Sequence, residues 1–202
     1  AECDIYRTKD GVWVVQHDVN TYRMMDFSKS IEKCTYDELM EHNTDNGNHI
    51  DEYPNLKICT LDEYLKCCEQ YGMVAVIELK GKNNTEHYDE IVSTVDKYSC
   101  DVIYISFHEE NLYALRKVTN APLMYLVNVV DDEAIEVAKS IGNCGIDFDG
   151  NKEKNYENDA EILKKAQAEG LTLGAWTIDD IEVMEKLLSY NVNYITTNCI
   201  TY

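Results

Sequence analysis

The sequence predicts an α/β protein of βα units around a parallel sheet, a βα barrel that is one unit short. Short β-branched or apolar runs alternate with amphipathic helical stretches almost to the end of the chain, the pattern of strands joined by crossover helices. Counted in order, these runs make seven parallel strands and one hairpin excursion. Eight βα units take about 250 residues, roughly 30 each, and this chain has 202. The Gly-rich phosphate turn that usually follows the first strand of an open doubly wound sheet is absent.

The elements follow in order. A first strand over Glu2 to Arg7 turns at Lys9-Asp10-Gly11 into Val12 to Gln16. A long polar segment, Asn20 to Leu56, holds one short helix from Tyr36, where Thr35 and Glu38 are spaced as a capping box. Thr60 and Glu63 repeat that start signal, and the helix runs to Tyr71 before Gly72 stops it. Strand Val74 to Leu79 precedes a helix over Thr85 to Tyr98, and strand Val102 to Ser106 one over Glu109 to Val118. Strand Leu123 to Val127 leads to helix Asp132 to Ile141, and Cys144 to Phe148 to helix Asn158 to Glu169, closed by Gly170. The last strands are Leu171 to Trp176 and Tyr194 to Thr197, with helix Asp179 to Tyr190 between them.

With 45% hydrophobic residues, 202 positions suit one sizeable core and a single domain over 1–202. Thirty-eight acids against 18 bases leave a formal charge of −20, which repels nucleic acid and anionic lipid surfaces. No run reaches the ~20 apolar residues of a membrane span, and no signal-peptide pattern is present. The expectation is a protein without nucleic-acid partners or stable membrane insertion. Eight cysteines show no CxxC pair and no zinc-like cluster. They read as reduced structural thiols in a reducing, cytoplasmic setting.

In a βα barrel the reactive groups sit at the C-terminal ends of the strands. Glu2 and Asp4 alternate, so they share one side of the first strand. Two adjacent carboxylates repel and are tolerated around a cation, with a shared proton, or in solvent. In "VAVIELK", Val74, Val76, Glu78 and Lys80 share a face while Ala75, Ile77 and Leu79 share the other. An acid and a base on one barrel-interior face need a partner such as an ion or a phosphate, or pair with each other. His17 closes the hairpin beside the opening acids, where a cation and an imidazole can share a substrate. His108 reads as a helix-cap or rim residue, and Glu109-Glu110 and Asp131-Asp132-Glu133 as first-turn acids that complement helix dipoles.

The stretches "ECDIYRTKDGVWVVQHDVNTYR", "CTLDEYLKCCEQYGMVAVIELK", "ISFHEENLYALRK", "AEGLTLGAWTIDD" and "YITTN" occur in an order that resembles the glycerophosphodiester phosphodiesterase family over nearly the whole chain. The resemblance implies a TIM-barrel phosphodiesterase that cleaves between phosphate and alcohol in glycerophosphodiesters with a divalent ion, calcium or magnesium. It implies metal ligands at Glu2, Asp4 and Glu78, a catalytic histidine at His17, a catalytic and phosphate-facing lysine at Lys80, and a substrate-pocket tryptophan at Trp176.

The family's His-Arg-Gly and Pro-Glu-Asn-Thr motifs, which precede its Glu-x-Asp strand, do not occur in this sequence. The strand count points to the same first βα unit. Asn198 stands where the family usually has Asp, and Asn191 where Gly is common. Two alternatives stay open beside hydrolysis: a catalytically impaired binding or scaffold domain, and a phospholipase-like barrel that forms a cyclic phosphate. The expectations are a small glycerophosphodiester as substrate and low activity for a chain in which His17 has no partner histidine. Strand edges near Glu2 to Arg7 and Tyr194 to Thr197 would pair with each other or with a second copy in a homo-oligomer, or stay open.

Overall fold

A computed structural model describes residues 1–151 and 156–199. The chain divides into two compact units, Ala1–Val102 and Ile103 onward.

In the first unit, β1 (Glu2–Arg7) is the central strand. On one side β2 (Trp13–Val15) pairs with it antiparallel through Ile5↔Val15, Tyr6↔Val14 and Arg7↔Trp13. On the other, β3 (Ala75–Leu79) runs parallel, with Glu2 opposite Val76 and Asp4 opposite Glu78. Three helices complete the unit: α1 (Tyr36–Met40), α2 (Leu61–Tyr71) and α3 (Tyr88–Val95). Thr35 with Glu38 and Thr60 with Glu63 both form complete capping boxes. Gly72 ends α2 in the left-handed region at φ 62, which glycine enters without strain.

The segment read as polar carries its own small core. Tyr6 and Val14 from the hairpin meet Met25, Ile31, Cys34, Leu39 and Ile58, all buried. Its apolar residues are too widely spaced to show helix or strand periodicity, and short 3₁₀ turns at Thr21–Arg23, Ile31–Lys33 and Ile50–Glu52 bring them together. The helix expected over Thr85 to Tyr98 begins as a 3₁₀ turn, Thr85–His87, and its α part stops at Val95. Tyr98 N–H reaches back to Val95 C=O, the tight closure usual at helix ends.

In the second unit, which takes all of β4 (Val102–Ser106) but its first residue, the strands β4, β5 (Leu123–Val127), β6 (Cys144–Asp149), β7 (Leu173–Trp176) and β8 (Tyr194–Ile195) pair parallel in chain order. Helices α4 (Glu109–Arg116), α5 (Asp132–Ile141), α6 (Tyr156–Ala168) and α7 (Ile181–Ser189) make the crossovers. Asp131 caps α5 by accepting from Ala134 N–H. Buried Leu123, Ile146, Leu173 and Leu187 are among the side chains that fill the interior. The strand expected to reach Thr197 is shorter, because Asp179 captures the chain there. Its carboxylate accepts from Thr197 Oγ1, from Asn198 N–H and from Asn198 Nδ2, at 3.0, 2.7 and 3.0 Å.

Both departures from the family pattern have a local account. Asn198 donates its amide to Asp179, where an aspartate would set one carboxylate against another. Asn191 sits at φ 57, a left-handed conformation that asparagine tolerates better than most non-glycine residues.

No helix among the described residues is long and apolar enough to cross a membrane. All eight cysteines are free, with Cys3, Cys34, Cys68 and Cys144 buried.

Candidate active site

The site is assembled by the pairing of β1 with β3. Period-two alternation puts Glu2, Asp4 and Tyr6 on one face of β1, and Val76, Glu78 and Lys80 on one face of β3 and its extension. The parallel register then sets Asp4 level with Glu78. One carboxylate oxygen from each of Glu2, Asp4 and Glu78 lies within 4.8 Å of the others. Glu2 is exposed, Asp4 half-buried and Glu78 buried, so the group opens to solvent on the Glu2 side.

Lys80 is drawn into this cluster. Its Nζ lies 3.0 Å from Asp4 Oδ1 and 2.7 Å from Glu78 Oε1. Burial disfavours charge on Glu78 and carries its carboxyl pKa up to about 7, against the opposing pull of Lys80 and with added repulsion from Asp4. Burial also works against the charge on Lys80, yet its bonds to Glu78 and Asp4 outweigh that and raise its pKa. The even-handed sequence reading of Glu78 and Lys80 as an ion pair or a ligand site therefore meets an ion pair in fact, one that takes in Asp4 as well. Three carboxylate oxygens at this spacing suit a hard divalent cation, whose preferred ligands are oxygens.

His17 follows β2 and is placed differently from the acids. Its Nδ1 lies 2.7 Å from Asp18 Oδ1, and Arg23 Nε donates to Asp18 Oδ2 at 2.6 Å. The His17 side chain is 64% exposed. Asp18 thus orients the ring and Arg23 anchors Asp18. Hydrogen bonds from Arg23 and His17 hold the Asp18 carboxyl down at about 2. Sequence inspection named His17 but not Arg23, whose five-residue offset crosses a 3₁₀ turn and follows no regular period.

Trp176 lies at the end of β7 in the second unit. Its ring meets Phe107 edge-on at 5.4 Å, and its Nε1–H donates to the Asp147 carbonyl at 3.2 Å. His108 is the N-cap residue of α4, as expected, and its backbone N–H donates to buried Ser106 Oγ. Asp147 and Gln16, both buried, went unremarked in the sequence. Asp147 lies inside an apolar run, and Gln16 stands out only once the hairpin register is counted.

The fold has parallels among known proteins. The description of the matching family model, over residues 1–201, is the glycerophosphoryl diester phosphodiesterase family. A glycerophosphodiester phosphodiesterase of Bacillus subtilis is 25% identical and aligns with 98% of this chain and 72% of its own. A phosphodiesterase from Oleispira antarctica, solved in complex with the product sn-glycerol-3-phosphate, superposes with a TM-score of 0.87 at 22% identity, over 97% of this chain and 79% of the other. A glycerophosphodiester phosphodiesterase from Parabacteroides distasonis gives a TM-score of 0.77 at 27% identity, over 97% and 78%. These likenesses bear out the α/β class of TIM-barrel type expected from the strand–helix alternation. With its model matched from residue 1 to residue 201, the chain belongs to the glycerophosphoryl diester phosphodiesterase family, phosphoric diester hydrolases that act on glycerophosphodiesters.

Proposed function

We propose that this chain hydrolyses glycerophosphodiesters to glycerol phosphate and an alcohol, with a divalent cation, calcium or magnesium, held by Glu2, Asp4 and Glu78. The observation that carries the reading is the convergence of those three carboxylates to within 4.8 Å on one strand face. When bound, such an ion neutralises phosphate charge and activates a hydroxyl or water.

The chain's own residues supply the rest. Lys80 offers a charged donor already held within the cluster, so a phosphate oxygen meets a positive group whose solvent has largely been removed. Asp18 accepts at His17 Nδ1, which leaves Nε2 to give a proton to the leaving alkoxide or take one from the attacking group. The family resemblance gives Trp176 a substrate-pocket role, and its ring, met edge-on by Phe107, is an apolar face of the kind a glycerol or alcohol moiety packs on. The formal charge of −20 favours a small soluble diester over an anionic membrane surface. Eight free cysteines support a reducing compartment.

The test is turnover of glycerophosphocholine with calcium, with magnesium and with a chelator, followed by phosphorus NMR. Metal-dependent release of glycerol phosphate and choline is the expected result. A cyclic phosphate product would assign the lyase-type reaction. Binding of sn-glycerol 3-phosphate without turnover would assign a binding domain.

A further inference from the structure

The hairpin register brings one more polar side chain to the acid cluster. Gln16 N–H donates to the Asp4 carbonyl at 2.9 Å, one step beyond the Ile5↔Val15 pair. Residues opposed across an antiparallel ladder present their side chains to the same face, so Gln16 shares the face of Asp4, which is itself level with Glu78. Gln16 is only 8% exposed, and its Nε2 is closed to solvent with no hydrogen-bond partner among the described residues. A buried amide donor without an acceptor is costly, and each such group in a folded protein calls for a reason. A leucine would fill similar volume without that cost.

We propose that Gln16 is a substrate-binding residue whose carboxamide donates to a phosphate oxygen at the Glu2–Asp4–Glu78–Lys80 cluster. The inference rests on the phosphodiesterase reading and adds a ligand contact to it. Asp4 and Glu78 already accept from Lys80, whereas a phosphate ester brings acceptor oxygens and no competing donor. The last side-chain torsion is broad and roughly two-fold, so a half-turn exchanges the two terminal atoms and the NH₂ can take either position. Lys80 contributes a point charge and Gln16 a directional N–H, so together they fix the orientation of the phosphoryl group as well as its presence.

The experiment is calorimetric titration of the full chain with sn-glycerol 3-phosphate in calcium, alongside Gln16→Leu and Gln16→Glu. Wild type should bind, and Gln16→Leu should bind on the order of ten- to a hundredfold more weakly, the usual worth of a hydrogen bond to a charged group. Gln16→Glu should be weaker still toward the phosphate, while its calcium affinity should be equal or higher, since a charged oxygen is added and none is removed. The ligand-free melting temperature of Gln16→Leu should be unchanged or higher, since an unmatched donor has been removed. Undiminished binding by Gln16→Leu, with wild type binding, overturns the role of Gln16 and leaves the phosphodiesterase reading standing. A large fall in the ligand-free melting temperature would make Gln16 a scaffold residue and overturn it too. If wild type neither binds sn-glycerol 3-phosphate nor cleaves glycerophosphocholine, the phosphodiesterase reading fails and takes this inference with it.

Discussion

Lys80 Nζ stands 2.7 Å from Glu78 Oε1, although the two residues are neighbours on the same face of one strand extension. The contact matters because the same Nζ also reaches Asp4 on β1, at 3.0 Å. A single ammonium therefore compensates two carboxylates that the β1–β3 register brings level.

Replacing that ammonium should cost more than charge. Lys80→Met leaves two poorly hydrated carboxylates facing each other, and losing one partner of a largely buried ion pair destabilises by roughly 3 kcal/mol. The metal-free melting temperature should fall, and saturating calcium should restore most of it, because the cation takes over the compensation. Turnover of glycerophosphocholine should drop more than calcium affinity does. Equal losses of turnover and calcium affinity would mean that Lys80 only holds Glu78 in place.

Asp4→Asn and Glu78→Gln each remove one charged oxygen while keeping shape. Calcium or magnesium binding, read by calorimetry in the absence of substrate, should weaken at least tenfold in each variant, since affinity for a hard cation follows the number of charged oxygen ligands. Glu52→Gln, an exposed acid paired with His49 by a 3.0 Å contact, should bind the ion as wild type does. Metal affinity that ignores Asp4 and Glu78 would remove the proposed site.

The Asp18 carboxyl gives a pH test. Its folded-state pKa is depressed to about 2, first by the Arg23 hydrogen bond and then by that of His17. A depressed acid contributes stability that is fully present above its unfolded value, near 3.9, and is lost as pH falls through the folded one. The window is therefore about pH 4 down to 2. Carboxyl-detected NMR should place the Asp18 inflection near the lower end, and Arg23→Gln should move it upward. An inflection already at the ordinary value in wild type would break the Arg23–Asp18–His17 chain of contacts.

Gly145 on β6 tests the second unit. A Cβ at this position would clash with the carbonyl oxygen of Thr172, the acceptor for Ile146 N–H. That neighbour is backbone and cannot rotate away. Gly145→Ala should cost about 1–3 kcal/mol, several degrees of melting temperature in a chain of this size, with calcium affinity unchanged. Gly72→Ala, at φ 62 with nothing within 4 Å, meets only backbone strain and should cost less.

What could be read before folding was whatever local rules write into neighbouring residues. Capping boxes at Thr35 and Thr60, the stop at Gly72, and the placement of Glu2 with Asp4 and of Glu78 with Lys80 all follow from spacings of two to four residues. The order of parallel strands follows from the alternation of two periods, and the family motifs add the acids' grouping. Tertiary structure decided what depends on residues far apart in sequence: that Asp4 is level with Glu78 across a gap of more than seventy positions, that Lys80 turns to both, and that Gln16 is buried with its amide unmatched. Strand register and burial are set by the long-range pairing of backbone ladders and the closing of a shared core. No local propensity records which distant partner will satisfy a buried charge or leave a donor without one.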